Sequence, residues 1–177
     1  MTRGALNVVE RDEDGFFLMV EGGAVDWAAH ANNLPRVIEE QIDFNRAVEA
    51  AVHWVETESS WDETLVIVTT DHGNGLMLGP RSGEVPFQPI VNQGAGELPL
   101  VEWHTDNHTN ELVRLYAQGA GAEGISALAD RRDHGLGYYG AEGEEQYYLD
   151  NTELFDAMVA AMGLSPAAQP SDAAAIA

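Results

Sequence analysis

The chain has 177 residues and a mass of 19.2 kDa, one medium domain's worth of material and enough to bury a hydrophobic core. Thirty Asp and Glu against eight Lys and Arg give a formal charge of -22 and a sequence pI near 4.2, so the chain has no attractive field for phosphate backbones or anionic lipid, and nucleic-acid and membrane-surface binding are not expected. The hydrophobic fraction of 45% is that of a folded domain, and the absence of cysteine excludes disulfides, thiolate metal sites and thiol nucleophiles, leaving His and carboxylate as the only holders of a transition metal.

In chain order, no basic region followed by an apolar stretch opens the sequence, and apolar runs such as Phe16 to Val20 are far too short to span a bilayer; neither a signal peptide nor a membrane anchor is expected in this polypeptide. Residues 1–10 read as a short amphipathic helix with Leu6 and Val9 inward, followed by a turn over residues 12–15. Residues 15–20 form a continuous apolar run of buried-strand length. Leu34, Val37, Ile38, Ile42, Val48, Val52 and Val55 recur at three- and four-residue steps, which predicts a long helix ending near Glu58. After a turn over residues 59–63, residues 64–70 are β-branched and apolar on both faces, as a central strand covered by helices must be. Residues 73–107 are rich in Gly and Pro, and so long a connection inside a compact domain points to function. Residues 111–117 resume as a strand. Asp150 and Asn151 offer N-caps for a last helix with Leu154, Phe155, Met158 and Val159 inward and Gly163 as its stop. This alternation predicts an α/β fold, a mostly parallel sheet flanked by helices, over residues 1–163, with residues 164–177 a mobile Ala- and Pro-rich tail.

Three clusters of possible metal ligands fall where these elements end. Glu21, Asp26 and His30 follow the first apolar run, and if a helix begins near Asp26 then Asp26 and His30, four apart, share one face. Asp71 and His72 follow the central strand, where open α/β sheets place their ligand crevice. His104, Asp106 and His108 precede the next strand. Each cluster has an ordinary structural alternative: a turn and helix cap for Asp71-His72, a solvated helix face for Asp26 and His30, loop polarity for the third. His53 within a helix and His134 beside Arg131, Arg132 and Asp133 are read as structural outright.

Taken together, the string from Gly15 to His30, the run Thr64 to His72 and the pair His108-Thr109 resemble the carboxy-terminal part of alkaline phosphatase, and the resemblance extends from about Met1 to Gly163. It implies an alkaline-phosphatase-like but incomplete fold and a hydrolase acting on phosphate monoesters through a phosphoserine. It further implies that Asp26, His30 and His108 are ligands of a first Zn²⁺, Asp71 and His72 of a second, and Glu21 of a neighbouring Mg²⁺. Two metal ions about 4 Å apart suit such chemistry, because they hold the attacking and leaving oxygens of an in-line displacement. His104 is the fallback for His108.

The family's serine nucleophile, the aspartate beside it, a threonine on magnesium and a phosphate-clamping arginine belong to its amino-terminal part. No stretch here resembles the nucleophile motif, and Ser59, Ser60, Ser82, Ser126, Ser165 and Ser171 lie in expected turns or the tail. The expectation is therefore a fragment, inactive alone, whose partners are the missing amino-terminal part, phosphate monoesters and inorganic phosphate, with a periplasmic or secreted location and a possible homodimer implied by the family. Trp27 stands where some relatives carry Lys or His near phosphate, and is read first as a packing residue. The competing readings are another member of the superfamily, such as a phosphoglycerate mutase or sulfatase, and a non-catalytic acidic metal-binding domain. The acidity fits adaptation to salty water or a solvated surface without special meaning.

Overall fold

The computed structural model describes residues 1–139 and 146–164; of the tail expected over residues 164–177, residues 165–177 lie outside them. Its elements are α1 (Thr2–Val9), α2 (Ala24–His30), α3 (Leu34–Glu58), β1 (Leu65–Val68), β2 (Gly73–Asn74), β3 (Met77–Leu78), β4 (Glu102–Trp103), β5 (His108–Thr109), β6 (Tyr116–Gly119), α4 (Ala122–Leu128), β7 (Arg131–Arg132), a 3-10 helix (His134–Tyr139), β8 (Tyr147–Tyr148) and α5 (Asn151–Ala161).

The helices follow from local chemistry. Asn33 caps α3, its side chain accepting from the Arg36 N–H, and Pro35 sits in the first turn where its missing N–H costs nothing. The apolar stripe then carries α3 to Glu58 as its periodicity predicts. Asp150 closes a capping box with Glu153 at the start of α5, and Gly163 follows the helix with φ +67°. Leu154, Met158 and Val159 of α5 are half-buried as expected, but Phe155 is exposed. The helix α4 was not anticipated; its seven residues carry one buried side chain, Ile125, and too little periodicity to register.

The mostly parallel sheet is not what forms. The described strands make four two-stranded ladders, β1–β6, β2–β5, β3–β4 and β7–β8, every one antiparallel. Two causes account for this. The segment 73–109 doubles back on itself, so its neighbours run in opposite directions, and β6 returns beside β1 without a crossover helix. Residues 15–20, the expected first parallel strand, are extended but belong to no ladder: Phe16 and Leu18 point inward while Phe17 and Met19 are exposed. This segment, α3 and β1 instead line an open apolar cavity of about 160 Å³ between Phe16, Leu18, Phe44, Ala51 and Val66. The expected central strand is thus an edge of a pair, and it is shorter than residues 64–70. The expected strand over residues 111–117 is displaced to Tyr116–Gly119.

The core lies where α1, α2 and α3 meet. Leu6, Ala28, Ala29, Leu34, Val55 and Ile125 are the buried apolar residues among those described. Trp54 Nε1 donates to Glu10 Oε2 at 2.7 Å and Phe16 meets the Trp54 ring edge-on at 5.5 Å, which holds α1 and the following extended segment against α3. Ala28 and Ala29 let α2 approach α3 closely, turning the opposite face of α2, with Asp26 and His30, away from the core.

Two measurements check this balance of a small core and a large charge. Val55 is 1% exposed, so Val55→Ala should cost about 2 kcal/mol in urea unfolding. Ile42→Ala on the 47% exposed position of the same helix should stay within about 0.5 kcal/mol. Raising NaCl from about 0.01 M to 1 M shrinks the Debye length from about 30 Å to 3 Å and should raise the thermal midpoint. A flat or falling midpoint would show that the thirty acidic groups do not repel one another enough to matter.

Candidate metal centre

The site is built by α2 on one side and by the β2–β5 ladder on the other. The register pairs Asn74 with His108 and Gly73 with Thr109. Gly75 continues this ribbon: its N–H donates to the Asn107 carbonyl at 3.1 Å, and its carbonyl accepts from the N–H groups of His104 and Thr105 at 3.1 and 3.2 Å. Gly75 has φ +81°, and a side chain there would run into the Trp103 ring, so glycine is required on both grounds. The ribbon delivers His108 to the end of α2. Asp26 and His30 lie there on one helix face, as their four-residue spacing predicts.

Three side chains converge. His30 Nε2 lies 3.0 Å from His108 Nε2 and 3.5 Å from Asp26 Oδ2, and His108 Nε2 lies 3.2 Å from Asp26 Oδ1. One ligand atom from each of Asp26, His30 and His108 falls within 4.8 Å of the others, and among the described residues they form the group that could hold a metal ion. The tautomer of His30 follows from its partner. His30 Nδ1 is 2.6 Å from the Asp106 carbonyl, which can only accept, so Nδ1 carries the hydrogen and Nε2 of the neutral ring presents a lone pair to the cluster.

His72 joins from the side, its ring stacked on His108 with centroids 3.6 Å apart. Its Nδ1 faces the Gly73 carbonyl at 3.2 Å, which places a lone pair of the neutral ring on Nε2, 3.3 Å from Asp71 Oδ2. Asp71 itself is 85% exposed, and Glu21 is exposed in the loop before α2; neither is within the three-residue group. His104 is held elsewhere, with Nε2 2.7 Å from Ser82 Oγ. That hydroxyl also lies 2.7 Å from the Gly79 carbonyl, which takes its hydrogen, so the imidazole is the donor and His104 does not activate Ser82 as a nucleophile. His53 on α3 and His134 in the 3-10 helix take no part in the group.

Two contributors escaped sequence reasoning. Asp106 was noted for its carboxylate, yet what it supplies is its backbone carbonyl. Asn74 carries no titratable group, yet its Nδ2 donates to Asp26 Oδ1 at 2.6 Å. The Asp26 carboxyl is held below its ordinary value of 3.8: burial works in the opposite direction, but the Asn74 hydrogen bond and then the nearby His30, His108 and His72 charges outweigh it.

A depressed carboxylate stabilises the fold above its ordinary pKa and loses that contribution as the pH falls through the lower folded value. The stability difference between the chain and its Asp26→Asn variant should therefore shrink as the pH falls from about 4 toward about 2. Urea unfolding across that range reads it, and a difference independent of pH would mean that Asp26 makes no such interaction.

The comparisons with known proteins agree with one another. The alkaline phosphatase family profile matches residues 1–88, a span that ends before His108. Alkaline phosphatase 3 of Bacillus subtilis is 41% identical over 75 residues, 42% of this chain and 16% of its own length. Alkaline phosphatase of Escherichia coli is 30% identical over 139 residues, 75% of this chain and 29% of its own. The structure of alkaline phosphatase from the Antarctic bacterium TAB5 superposes on 93% of this chain and 40% of that one with a TM-score of 0.63 at 23% identity, a likeness of fold. The chain thus spans less than a third of the length of these two curated relatives, and within that span family profile, sequence relatives and fold coincide: it belongs to the alkaline phosphatase family.

Proposed function

We propose that this chain supplies the carboxy-terminal share of the metal centre of a phosphomonoesterase, with Asp26, His30 and His108 holding one zinc ion, Asp71 and His72 contributing to a second, and Glu21 to a magnesium ion. The observation that carries the reading is the convergence of three donors, Asp26 and His30 from one helix and His108 from a ribbon 78 residues beyond His30. Donors about 2.0–2.1 Å from a tetrahedral ion stand roughly 3.3 Å from one another, and the separations are of that size: 3.0 Å between the two imidazole nitrogens, 3.2 Å from His108 to Asp26 Oδ1 and 3.5 Å from His30 to Asp26 Oδ2. Two imidazoles and a carboxylate are a zinc donor set with a fourth position open to substrate. When bound, the ions supply Lewis-acid stabilisation of the charge that develops as a phosphate monoester is cleaved.

The chain's own residues prepare for this. The Asp106 carbonyl orients His30 and fixes its tautomer, the Asn74 amide keeps Asp26 ionised, and the His72 ring fixes the plane of His108. The roles of Asp71 and Glu21 rest on the sequence resemblance. Among the described residues no serine hydroxyl hydrogen-bonds to Asp26, His30, His72 or His108, and Ser59 is bonded to Thr64 instead. The nucleophile, and with it turnover, is assigned to the amino-terminal part of the enzyme, which is this chain's partner. Phosphate monoesters are the substrates and inorganic phosphate the product. A periplasmic or secreted location and a homodimer complete the reading.

Calorimetric titration of the 177-residue chain with Zn²⁺ should show binding that strengthens with rising pH, because protons compete with a metal for its donors, and that Asp26→Ala, His30→Ala or His108→Ala abolishes. The same chain should not hydrolyse p-nitrophenyl phosphate. In a complete enzyme carrying this chain, Asp71→Ala should lower kcat by about a hundredfold or more while leaving the fold intact. Zinc binding indifferent to all three substitutions, or turnover by the purified chain that Asp26→Ala removes, would overturn the assignment.

A further inference from the structure

We infer that Asn32 is a positioning residue: its side chain clamps the loop ahead of His108 to the end of α2, and so sets the tautomer of His30 and the place of His108 before a metal is bound. The inference rests on the reading of Asp26, His30 and His108 as a metal centre.

Asn32 stands two residues beyond His30 and ends the helix. Its φ is +49°, its N–H donates to the Ala29 carbonyl at 2.8 Å, and the Asn33 N–H donates to the Ala28 carbonyl at 3.0 Å. These are the paired bonds of a helix stop whose left-handed position is filled by glycine or, less often, by asparagine. Glycine would make the turn without the cost of holding a side chain in the left-handed region. What asparagine adds is its amide. Ala29 and Thr105 each turn a carbonyl oxygen toward it, and a carbonyl only accepts, so the amide presents its nitrogen to both and donates one hydrogen to each at 3.0 Å.

Thr105 and Asp106 are consecutive, and the end of α2 holds the carbonyls of both: Thr105 through the Asn32 amide, and Asp106 through His30 Nδ1 at 2.6 Å. A single hydrogen bond would leave the loop free to pivot about the imidazole. Two bonds to adjacent carbonyls fix the direction in which the Asp106 carbonyl points, and that direction decides which nitrogen of His30 keeps its hydrogen. The backbone bonds of the loop do not do this. The His104 and Thr105 N–H groups donate to the Gly75 carbonyl and the Asn107 carbonyl accepts from the Gly75 N–H, which ties the loop to its own ribbon and not to the helix. His108 follows the clamped residues directly, with its Nε2 3.0 Å from His30 Nε2, so the clamp also sets the distance between the two imidazole donors.

Asn32→Gly keeps the left-handed turn and removes the amide. Asn32→Asp keeps the shape as well but leaves a carboxylate that cannot donate to either carbonyl, and it gives a second variant should glycine fail to fold. The full 177-residue chain, free of metal and labelled with ¹⁵N, is held at about pH 9, where an ordinary imidazole is neutral. The ring-nitrogen shifts of His30 should then show the hydrogen on Nδ1 in the parent, and should move in both variants toward the Nε2–H form that an unrestrained imidazole favours. Loss of a helix stop alone would not move the tautomer. Zn²⁺ affinity, measured by competition with a chromophoric chelator, should fall about tenfold in both variants. Variants that keep the parent's tautomer, or that shift it with no loss of Zn²⁺ affinity, would overturn the assignment of Asn32 and leave the metal centre standing. A parent that binds no Zn²⁺ would overturn the reading of the centre, and a parent His30 with its hydrogen on Nε2 would overturn the clamp.

Discussion

The hydrogen bond between the His30 ring and the Asp106 carbonyl, 2.6 Å long, joins two stretches of chain 76 residues apart, and the arrangement of the centre depends on it. It closes a loop of constraints whose other links are the packing of α2 on α3 and the pairing of Asn74 with His108. Each link fixes one donor relative to another, so the centre is set by geometry shared between a helix and a ribbon. Because the carbonyl accepts and cannot donate, the same bond that positions the ring also decides which nitrogen keeps its lone pair. Position and tautomer are thereby set by a single contact, as a group standing behind a metal ligand would set them.

The rest of the molecule supplies little rigidity beyond this. Six apolar residues are buried among those described, while Phe17, Met19, Trp27, Tyr116 and Phe155 stand exposed. The four ladders among the described residues are short, one of four residue pairs and three of two, and none joins another. Against that thin core stands a charge of -22. The acidic surface nonetheless suits the centre, since a negative field raises the local concentration of divalent cations and opposes the loss of a bound one.

Trp27 shows how local and tertiary information divide. It follows a ligand candidate in sequence, and a packing role was the expectation, yet it is 75% exposed on α2 because Ala28 and Ala29 are the residues that face α3. Nothing among the described residues covers its indole. Phe155 of α5 departs from expectation for the same reason: helical periodicity names a stripe, and only the neighbours decide how wide a part of it is covered.

By itself the sequence determined what depends on nearest neighbours along the chain. The start and end of α3, the capping of α5 by Asp150, the turn after α1 and the sharing of a face by Asp26 and His30 all follow from residues within a few positions of one another. It also contained the donors themselves, since a chain without cysteine has only His and carboxylate to offer a transition metal. Tertiary structure decided everything that joins distant stretches: strand direction, the failure of residues 15–20 to enter a ladder, the choice of His108 over His104, and the place of Asn74 behind Asp26. The physical reason is that a strand has no hydrogen bonds of its own and takes direction and register from whichever partner reaches it, whereas a helix satisfies its backbone within its own segment. A ligand on a helix can therefore be placed from its spacing, but the ligand that meets it from a ribbon depends on a register that only the folded chain provides.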